Sequence, residues 1–110
     1  MSLHVHAVAL EAVRALRPLV DAIARHDRDL SRQLRDAASS MVLNIGEGER
    51  SGGGNVRARL DTASGSTRES RSALATAAAW GYVSAESTVA ADALLDRVSA
   101  MLHRLVHPRR

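Results

Sequence analysis

The sequence predicts an all-α protein, an antiparallel up-down-up-down four-helix bundle that forms one domain over residues 1–110. Three observations support this prediction. Apolar residues recur at spacings of three and four through four segments of similar length. No segment shows the period of two that marks a strand. The three connections are short, as they are between antiparallel neighbours in a helical bundle.

The first segment is predicted to be helical from about Val5 to Arg25. Its apolar stripe consists of Val13, Leu16, Val20 and Ile23. Pro18 lies inside the segment and removes a backbone hydrogen bond, so we expect either a kink there or a helix that begins near Arg17.

The second helix is predicted to begin after Asp27 and Asp29, either of which can cap it. Its inward stripe consists of Leu30, Leu34, Ala37, Met41 and Ile45. Gly46 to Gly48 predict its end, because glycine permits a left-handed terminus. The run Ser51-Gly52-Gly53-Gly54-Asn55 then predicts a mobile hairpin loop.

The third helix is predicted from about Asn55 to Trp80. Spacings of four and three alternate along a seam made of Val56, Leu60, Ala63, Thr67, Ser70, Leu74, Ala77 and Gly81. Gly65 costs a helix about 1 kcal/mol relative to Ala, which predicts that another backbone or side chain comes very close there. Gly81 suits the position after the helix end, where Tyr82 can supply the hydrophobic contact.

The fourth helix is predicted to follow Ser84 as its cap and to run to about Val106, where Pro108 stops it. Its inward residues are Ala91, Leu94, Leu95, Val98, Leu102 and Leu105.

The composition predicts a small core and association between copies. The 110 residues include no Phe, one Trp and one Tyr, and Ala supplies much of the apolar 45%. Because Ala buries little surface, such a core is marginal alone, and oligomerisation is a common remedy. The absence of Cys excludes disulfides and thiolate metal sites. There is no signal pattern and no apolar run of about 18 residues, so we expect a cytoplasmic protein without a membrane partner.

The basic residues are unusual because they are all of one type, whereas their excess over the acidic residues is small. The formal net charge is +3, and all 15 basic residues are Arg. A GC-rich genome explains this usage without any function. The alternative is phosphate recognition, because the planar guanidinium forms two parallel hydrogen bonds with a phosphate. The excess is small, because 12 acidic residues are spread among the arginines.

Two polar pairs lie on the second and third helices. Asn44 and Glu47 are close on one face, and Glu69 lies one turn after Ser66. We interpret Asn44 and Glu47 as structural residues that satisfy backbone groups near a helix end. A catalytic or metal-binding carboxylate pair would need a His or Asp at ligand spacing nearby, and the sequence has none there. We therefore predict no enzyme active site, no cofactor and no metal.

Two further patterns also lack the residues that a site would need. His103 and His107 have the spacing of helical metal ligands, but no acidic third ligand accompanies them, so we expect solvated imidazoles. The glycine-rich run from Gly46 to Gly54 lacks the Gly-Lys-Ser/Thr end of a phosphate-binding loop and does not follow a strand.

The arginines form two candidate nucleic-acid-binding groups. The first is a stripe along the second helix and its start, made of Arg25, Arg28, Arg32 and Arg35. Local salt bridges with Asp29 and Asp36 are the alternative for this group. The second group spans the loop and the third helix and contains Arg50, Arg57, Arg59, Arg68 and Arg71. Trp80 and Tyr82 are the only aromatic rings of the Phe, Tyr and Trp type, so base stacking should be scarce and binding should be non-specific and salt-sensitive.

Three segments together resemble a known family. They are Ala38-Ser39-Ser40-Met41-Val42-Leu43-Asn44-Ile45-Gly46-Glu47-Gly48, then Ala63-Ser64-Gly65-Ser66-Thr67-Arg68-Glu69, then Trp80-Gly81-Tyr82. In this order and spacing they resemble the four-helix bundle proteins encoded by intervening sequences in bacterial 23S rRNA genes. The resemblance covers about residues 30 to 83. The chain departs from the family pattern at Gly46, where Ala is usual, at Glu49, where an aromatic is usual, and at Val56 and Leu60, which replace Phe.

The resemblance implies a ring-like homopentamer whose function is poorly defined. A related branch serves as the accessory protein of diversity-generating retroelements, in which a basic pentamer binds nucleic acid and a reverse transcriptase. We therefore expect a non-enzymatic, oligomeric bundle that binds RNA or DNA through arginine and scaffolds a protein partner. The alternative is a structural or protein-interaction module with no nucleic-acid role, and a hydrolase or metalloenzyme is remote.

Overall fold

A computed structural model describes residues 3–50 and 55–108 and contains four α-helices within them. Helix α1 spans Leu3–Ala24, α2 spans Arg28–Arg50, α3 spans Asn55–Ala79 and α4 spans Val89–Val106. A short 3₁₀ turn, Glu86–Thr88, precedes α4. The helices pack as sequential neighbours, and α4 closes the bundle against α1. The all-α four-helix prediction is confirmed, and the described residues contain no strand.

Helix α1 is continuous through Pro18, so the expectation of a helix beginning near Arg17 is wrong. Pro18 is exposed, and the rest of the helix is anchored by a buried stripe that extends over its whole length. That stripe comprises Val5, Val8, Ala9, Ala12, Leu16, Leu19 and Ile23. The predicted stripe is only partly correct. Leu16 and Ile23 are buried, whereas Val13 and Val20 are half-buried and lie at the edge that faces α2.

Helix α2 begins where Asp27 caps it, since the Leu30 backbone N–H donates to Asp27 Oδ1 at 2.9 Å. The predicted end at Gly46 to Gly48 is wrong, because the helix continues to Arg50. Gly48 provides space for α3 instead of ending the helix, whereas a side chain at Gly46 would make only ordinary contacts. A Cβ at Gly48 would lie 3.2 Å from Leu60 Cδ2 of α3, and one at Gly46 would lie 3.7 Å from His6 Nε2 of α1. The predicted loop, residues 51 to 54, lies outside the described part of the chain.

The seam predicted for α3 is confirmed over most of its length. Its buried members are Leu60, Ala63, Thr67, Ser70, Leu74 and Ala77. The buried hydroxyls are satisfied within the helix, since Thr67 Oγ1 donates to the Ala63 carbonyl at 2.7 Å and Ser70 Oγ donates to the Ser66 carbonyl at 2.9 Å. These bonds let polar side chains occupy a packed interface without an unpaired group.

Gly65 lies within α3 and Gly81 lies just beyond its end, and only the prediction for Gly81 is confirmed. The expected close approach at Gly65 is wrong within this chain, because a Cβ there would meet only Arg68 Nη2, at an ordinary 3.9 Å. Gly81 is confirmed as the residue after the helix end, with φ at +79°. Gly81 N–H donates to the Ala78 carbonyl and Tyr82 N–H donates to the Ala77 carbonyl, both at 3.0 Å, which satisfies the last turn.

The prediction that Ser84 caps α4 is wrong, because α4 begins at Val89 after Thr88 and Ser84 instead precedes the 3₁₀ turn. The Ser87 backbone N–H donates to Ser84 Oγ at 3.1 Å. The buried residues of α4 are Ala91, Leu95, Val98, Leu102 and Val106. Leu94 and Leu105, which were predicted to face inward, are half-buried at the margins of the core. No helix in the described residues is long and apolar enough to cross a membrane.

Candidate nucleic-acid interface

Arg71 of α3 is held by two carboxylates of α4. Its Nε and Nη2 donate to Asp92 at 2.9 and 3.1 Å, and its Nη1 donates to Asp96 Oδ1 at 3.0 Å. The hydrogen bond from Arg71 lowers the pKa of Asp92 below its ordinary value, against a smaller opposing effect of burial. The same bond raises the pKa of Arg71. This guanidinium joins α3 to α4 and has little capacity left for a phosphate.

Two further arginines of α3 also have partners inside the chain. Arg57 Nε lies 3.9 Å from Asp61 Oδ2 on the next turn. Arg59 Nη1 donates to Asn44 Oδ1 of α2 at 3.5 Å. Both contacts are long and exposed, so they restrain these side chains less than Asp92 and Asp96 restrain Arg71.

Arg68 of α3 forms neither an ion pair nor a side-chain hydrogen bond within residues 3–50 and 55–108. It lines a polar groove of about 220 Å³ between α3 and α4, together with Asp61, Ser64, Ser99, His103 and His107. The His103 and His107 rings lie 4.7 Å apart between centroids and are exposed. Nowhere among the described residues do three His, Cys, Asp or Glu side chains gather closely enough to hold a metal ion.

The arginines of the first group face solvent. Arg25, Arg28 and Arg35 are exposed and form no ion pair within the described ranges. Arg32 contacts Asp29 one turn earlier, with Nη2 3.3 Å from Oδ1, and both side chains are largely exposed. The salt-bridge interpretation of this stripe therefore holds for Arg32, while the other three guanidiniums remain open to a ligand.

Helix α1 contributes two arginines to the same side of the bundle. Arg14 and Arg17 of α1 and Arg35 of α2 line a groove of about 290 Å³ between these helices. The floor of the groove is apolar and contains Val13, Leu16, Val20 and Ala38, and Ser39 and Asp21 complete its lining. Arg14, Arg17 and Arg35 are exposed and unpaired within residues 3–50 and 55–108. We call this surface, together with Arg25, Arg28 and Arg32, the α1–α2 face.

Sequence reasoning did not select Arg14 and Arg17. Their signal was present, because Arg14 and Arg17 lie on one side of α1 at a spacing of three. The antiparallel packing of α1 against α2 brings the middle of α1 beside Arg35, so residues 18 or more apart in sequence share one groove. The pairing of these two helices, more than either stripe alone, creates the concentration of positive charge.

The predicted polar motif is a structural contact between α2 and α3. Ser66 Oγ donates to Ser40 Oγ at 2.9 Å, and Asn44 Nδ2 donates to the Ser40 carbonyl at 2.9 Å. Asn44 therefore joins Ser66 through Ser40, which the sequence did not indicate as the link. Glu47 lies exposed on the next turn of α2, and Glu69 is exposed on α3 away from this network. The two carboxylates do not meet in a shared site within the described residues.

Three rings stack at the end of the bundle where α1 meets α2 and α3 meets α4. Tyr82 stacks on His26 with a centroid separation of 5.2 Å and an interplanar angle of 6°. Trp80 stacks near Tyr82 at 6.3 Å and 16°. Trp80 is 70% exposed, whereas Tyr82 is half-buried. His26 is a member that the sequence did not indicate.

A protein-family model described as 23S rRNA-intervening sequence protein matches residues 2–104 of the chain. The chain belongs to this family. The family model spans all four helices, so the resemblance in the three sequence segments extends through the flanking helices as well.

A solved structure shows the same fold. It is a crystal structure of a protein with unknown function from the S23 ribosomal protein family of Bacteroides thetaiotaomicron. The TM-score is 0.84 at 20% sequence identity, and the alignment covers 93% of this chain and 97% of that one. At this identity the likeness establishes the fold alone. Among curated proteins, none matches the chain.

Proposed function

We propose that this family member is a non-enzymatic, oligomeric helical bundle that binds nucleic acid, and RNA above all, through the α1–α2 face. The observation that carries the proposal is the groove lined by Arg14, Arg17 and Arg35, none of which forms an ion pair within residues 3–50 and 55–108. Asp21 is the single acidic residue in its lining. An unpaired guanidinium offers a phosphate two parallel hydrogen bonds with less competition from the protein itself.

The length of the α1–α2 face suits an extended nucleic-acid backbone better than a small molecule. The bundle is 43 Å long, and the exposed arginines extend from the α1–α2 turn to the middle of α1. Each phosphate neutralised by an arginine releases counterions, which supplies affinity without reading the base sequence. Binding of this kind is therefore expected to tolerate many sequences and to weaken steeply with salt.

Association of copies would strengthen this attraction. Each chain carries a formal net charge of +3, which is small for a nucleic-acid-binding protein acting alone. A homo-oligomer, with a pentamer as the favoured form, would repeat the α1–α2 face around a ring and sum its potential. The Ala-rich core supports association, because it contains no aromatic side chain that is fully buried.

The test is a salt titration of binding to labelled RNA, single-stranded and duplex, each about 20 nucleotides long. Three to four phosphate contacts predict a slope of log affinity against log salt of roughly −2 to −4 between about 50 and 200 mM. Fluorescence anisotropy measures the affinity at each salt concentration. A slope near zero, or no binding at the lowest salt, would contradict the proposal.

A second candidate is a protein-interaction module without a nucleic-acid role. The observation that favours it is a groove of about 580 Å³ between α3 and α4, which has Leu74, Ala78 and Val89 in its lining. Val89 is 64% exposed, an unusual position for a large aliphatic side chain. The same titration separates the two candidates, because this one predicts no salt-dependent RNA binding.

A further inference from the structure

The aromatic stack at the end of the bundle is positioned by the backbone around it. Gly81 adopts a left-handed conformation, and the Tyr82 N–H returns to the Ala77 carbonyl at 3.0 Å. This turn brings Tyr82 back over the end of the bundle, where its ring lies almost parallel to His26 of the α1–α2 turn. Tyr82 is half-buried between its two stacking partners, so the stack is a supported platform and not a freely rotating side chain.

Trp80 forms the outer layer of this platform. Its ring stacks near Tyr82, yet 70% of the residue is exposed. It lines none of the three grooves described above. An exposed, flat indole beside a parallel ring offers a planar surface that one more ring can cover, whereas an aliphatic side chain is better accommodated by a groove.

The charges near the platform favour an anionic partner. Arg25 precedes His26 in the α1–α2 turn and Arg28 begins α2 two residues after His26, and both arginines are exposed and unpaired within the described ranges. The two carboxylates of this segment bond elsewhere, because Asp27 accepts the Leu30 N–H at 2.9 Å and Asp29 contacts Arg32 at 3.3 Å, so neither pairs with Arg25 or Arg28. A planar ring and unpaired cations at one end of a protein are the two parts of a single-stranded nucleic-acid site.

We propose that Trp80 stacks with an unpaired nucleobase of RNA or DNA, while Arg25 and Arg28 contact the adjoining phosphates. This inference rests on the proposed function and extends it, because stacking selects single strands, overhangs and loops over a continuous duplex. The arginines of the groove contact the sugar–phosphate backbone of any nucleic acid. The aromatic platform beside the α1–α2 turn binds only a base that is free to stack. Any base can form this contact, because every base has a flat π-face, so the site should show little preference for base identity.

Trp80 is the single Trp of the chain, so its fluorescence reports on this site directly. We would titrate the protein with a single-stranded oligonucleotide and with an abasic strand of equal length and charge. The base-bearing strand should quench Trp80 emission and bind about tenfold more tightly than the abasic strand. The abasic strand should bind through phosphate contacts alone and leave the emission nearly unchanged.

Two variants separate stacking from a general apolar contact. Trp80→Leu keeps an apolar side chain without a planar ring, and it should reduce the affinity for the base-bearing strand to that for the abasic strand. Trp80→Phe keeps a ring and should retain most of the difference between the strands. Labelled strands report both affinities by anisotropy, and because Trp80 is largely exposed, thermal unfolding should show both variants to be as stable as the parent.

The outcomes distinguish this inference from the function on which it rests. Equal binding of the two strands without quenching would overturn the stacking site and leave phosphate binding intact. Failure of both strands to bind would overturn the two proposals together. A blue shift of Trp80 emission that grows with protein concentration in the absence of nucleic acid would assign the platform to a contact between copies, and would also overturn the inference.

Discussion

The arginines of the α1–α2 face and those of α3 differ in what lies opposite them. Arg71 on α3 faces Asp92 and Asp96 of the neighbouring helix at hydrogen-bonding distance. Arg35 on α2 faces Arg14 and Arg17 across an apolar groove. The two regions contain the same residue type at similar helical spacings, yet one uses it to join helices and the other concentrates unpaired charge.

This difference shows that a count of basic residues does not locate an interface. A guanidinium that already has two carboxylates gains little from a phosphate, because it must give up bonds to make new ones. An exposed guanidinium that forms no ion pair gives up no such bond when it contacts a phosphate, and this is the state of the groove arginines, although Asp21 also lines the groove. The helix that packs alongside therefore decides the role of each arginine, and the following predictions test that comparison in order of decreasing effect.

The largest change in stability is expected at Gly48 of α2. This residue packs against α3, so it connects a helix of the α1–α2 face to the helix that carries Arg71. Gly48→Leu should lower the free energy of unfolding by about 1–2 kcal/mol, because overpacking outweighs the gain in helix propensity. A Cβ alone would already lie 3.2 Å from Leu60 Cδ2. Urea denaturation measures the change. A stability equal to or above that of the parent would show that α2 and α3 do not approach as closely as the structure indicates.

Arg71→Leu should lower the free energy of unfolding by about 1 kcal/mol, because Asp92 and Asp96 would then repel each other without a cation between them. The matched control is Arg14→Leu on the α1–α2 face, which removes an unpaired guanidinium and should leave stability unchanged within a few tenths of a kcal/mol. Equal losses in the two variants would remove the distinction between the two regions.

Gly65→Ala should raise the free energy of unfolding by about 0.5–1 kcal/mol, since Ala is the better helix former and has room in this chain. The nearest atom to an added Cβ is Arg68 Nη2 at 3.9 Å. Thermal and urea unfolding should agree on the gain. A loss of stability would indicate that another copy covers this part of α3, and a mass measurement in solution at several protein concentrations would confirm it.

The smallest effect concerns pH. Arg71 lowers the pKa of Asp92 in the folded protein, so the stabilisation is complete above the ordinary Asp value of 3.8 and is lost as pH falls through the lowered pKa. The stability difference between the parent and Arg71→Leu should therefore shrink by a few tenths of a kcal/mol or more as pH falls below about 4. A difference that stays constant through this range would show that Arg71 acts by packing and not by charge.

The sequence predicted the helices well because each carries its own periodic signal. The seam from Leu60 to Ala77 is buried as expected, and the turn at Gly81 was recognisable from its position after the helix. The errors arose where a residue type has two physical roles. Gly48 was taken as a helix end but provides space for Leu60. Gly65 was taken as a close approach but is only a weak point in α3.

The candidate site was harder to predict because it depends on contacts between helices. No sequence pattern shows that Asp92 lies opposite Arg71, or that Arg35 lies beside Arg14. The same holds for the ring of His26, which lies 56 residues from Tyr82 in sequence and 5.2 Å from it in space. Side chains on one helix follow from spacing, whereas their partners follow from the register in which the helices pack.

The most direct test of the account compares two triple variants that remove equal charge. Arg14→Gln, Arg17→Gln and Arg35→Gln together remove the groove cations, while Arg57→Gln, Arg59→Gln and Arg71→Gln remove the partnered ones. The salt dependence of RNA binding should lose about two to three units of slope in the first variant, with affinity falling at least about tenfold, and should change little in the second. Equal losses in both, or a larger loss in the second, would contradict the claim that packing partners decide which arginines bind phosphate.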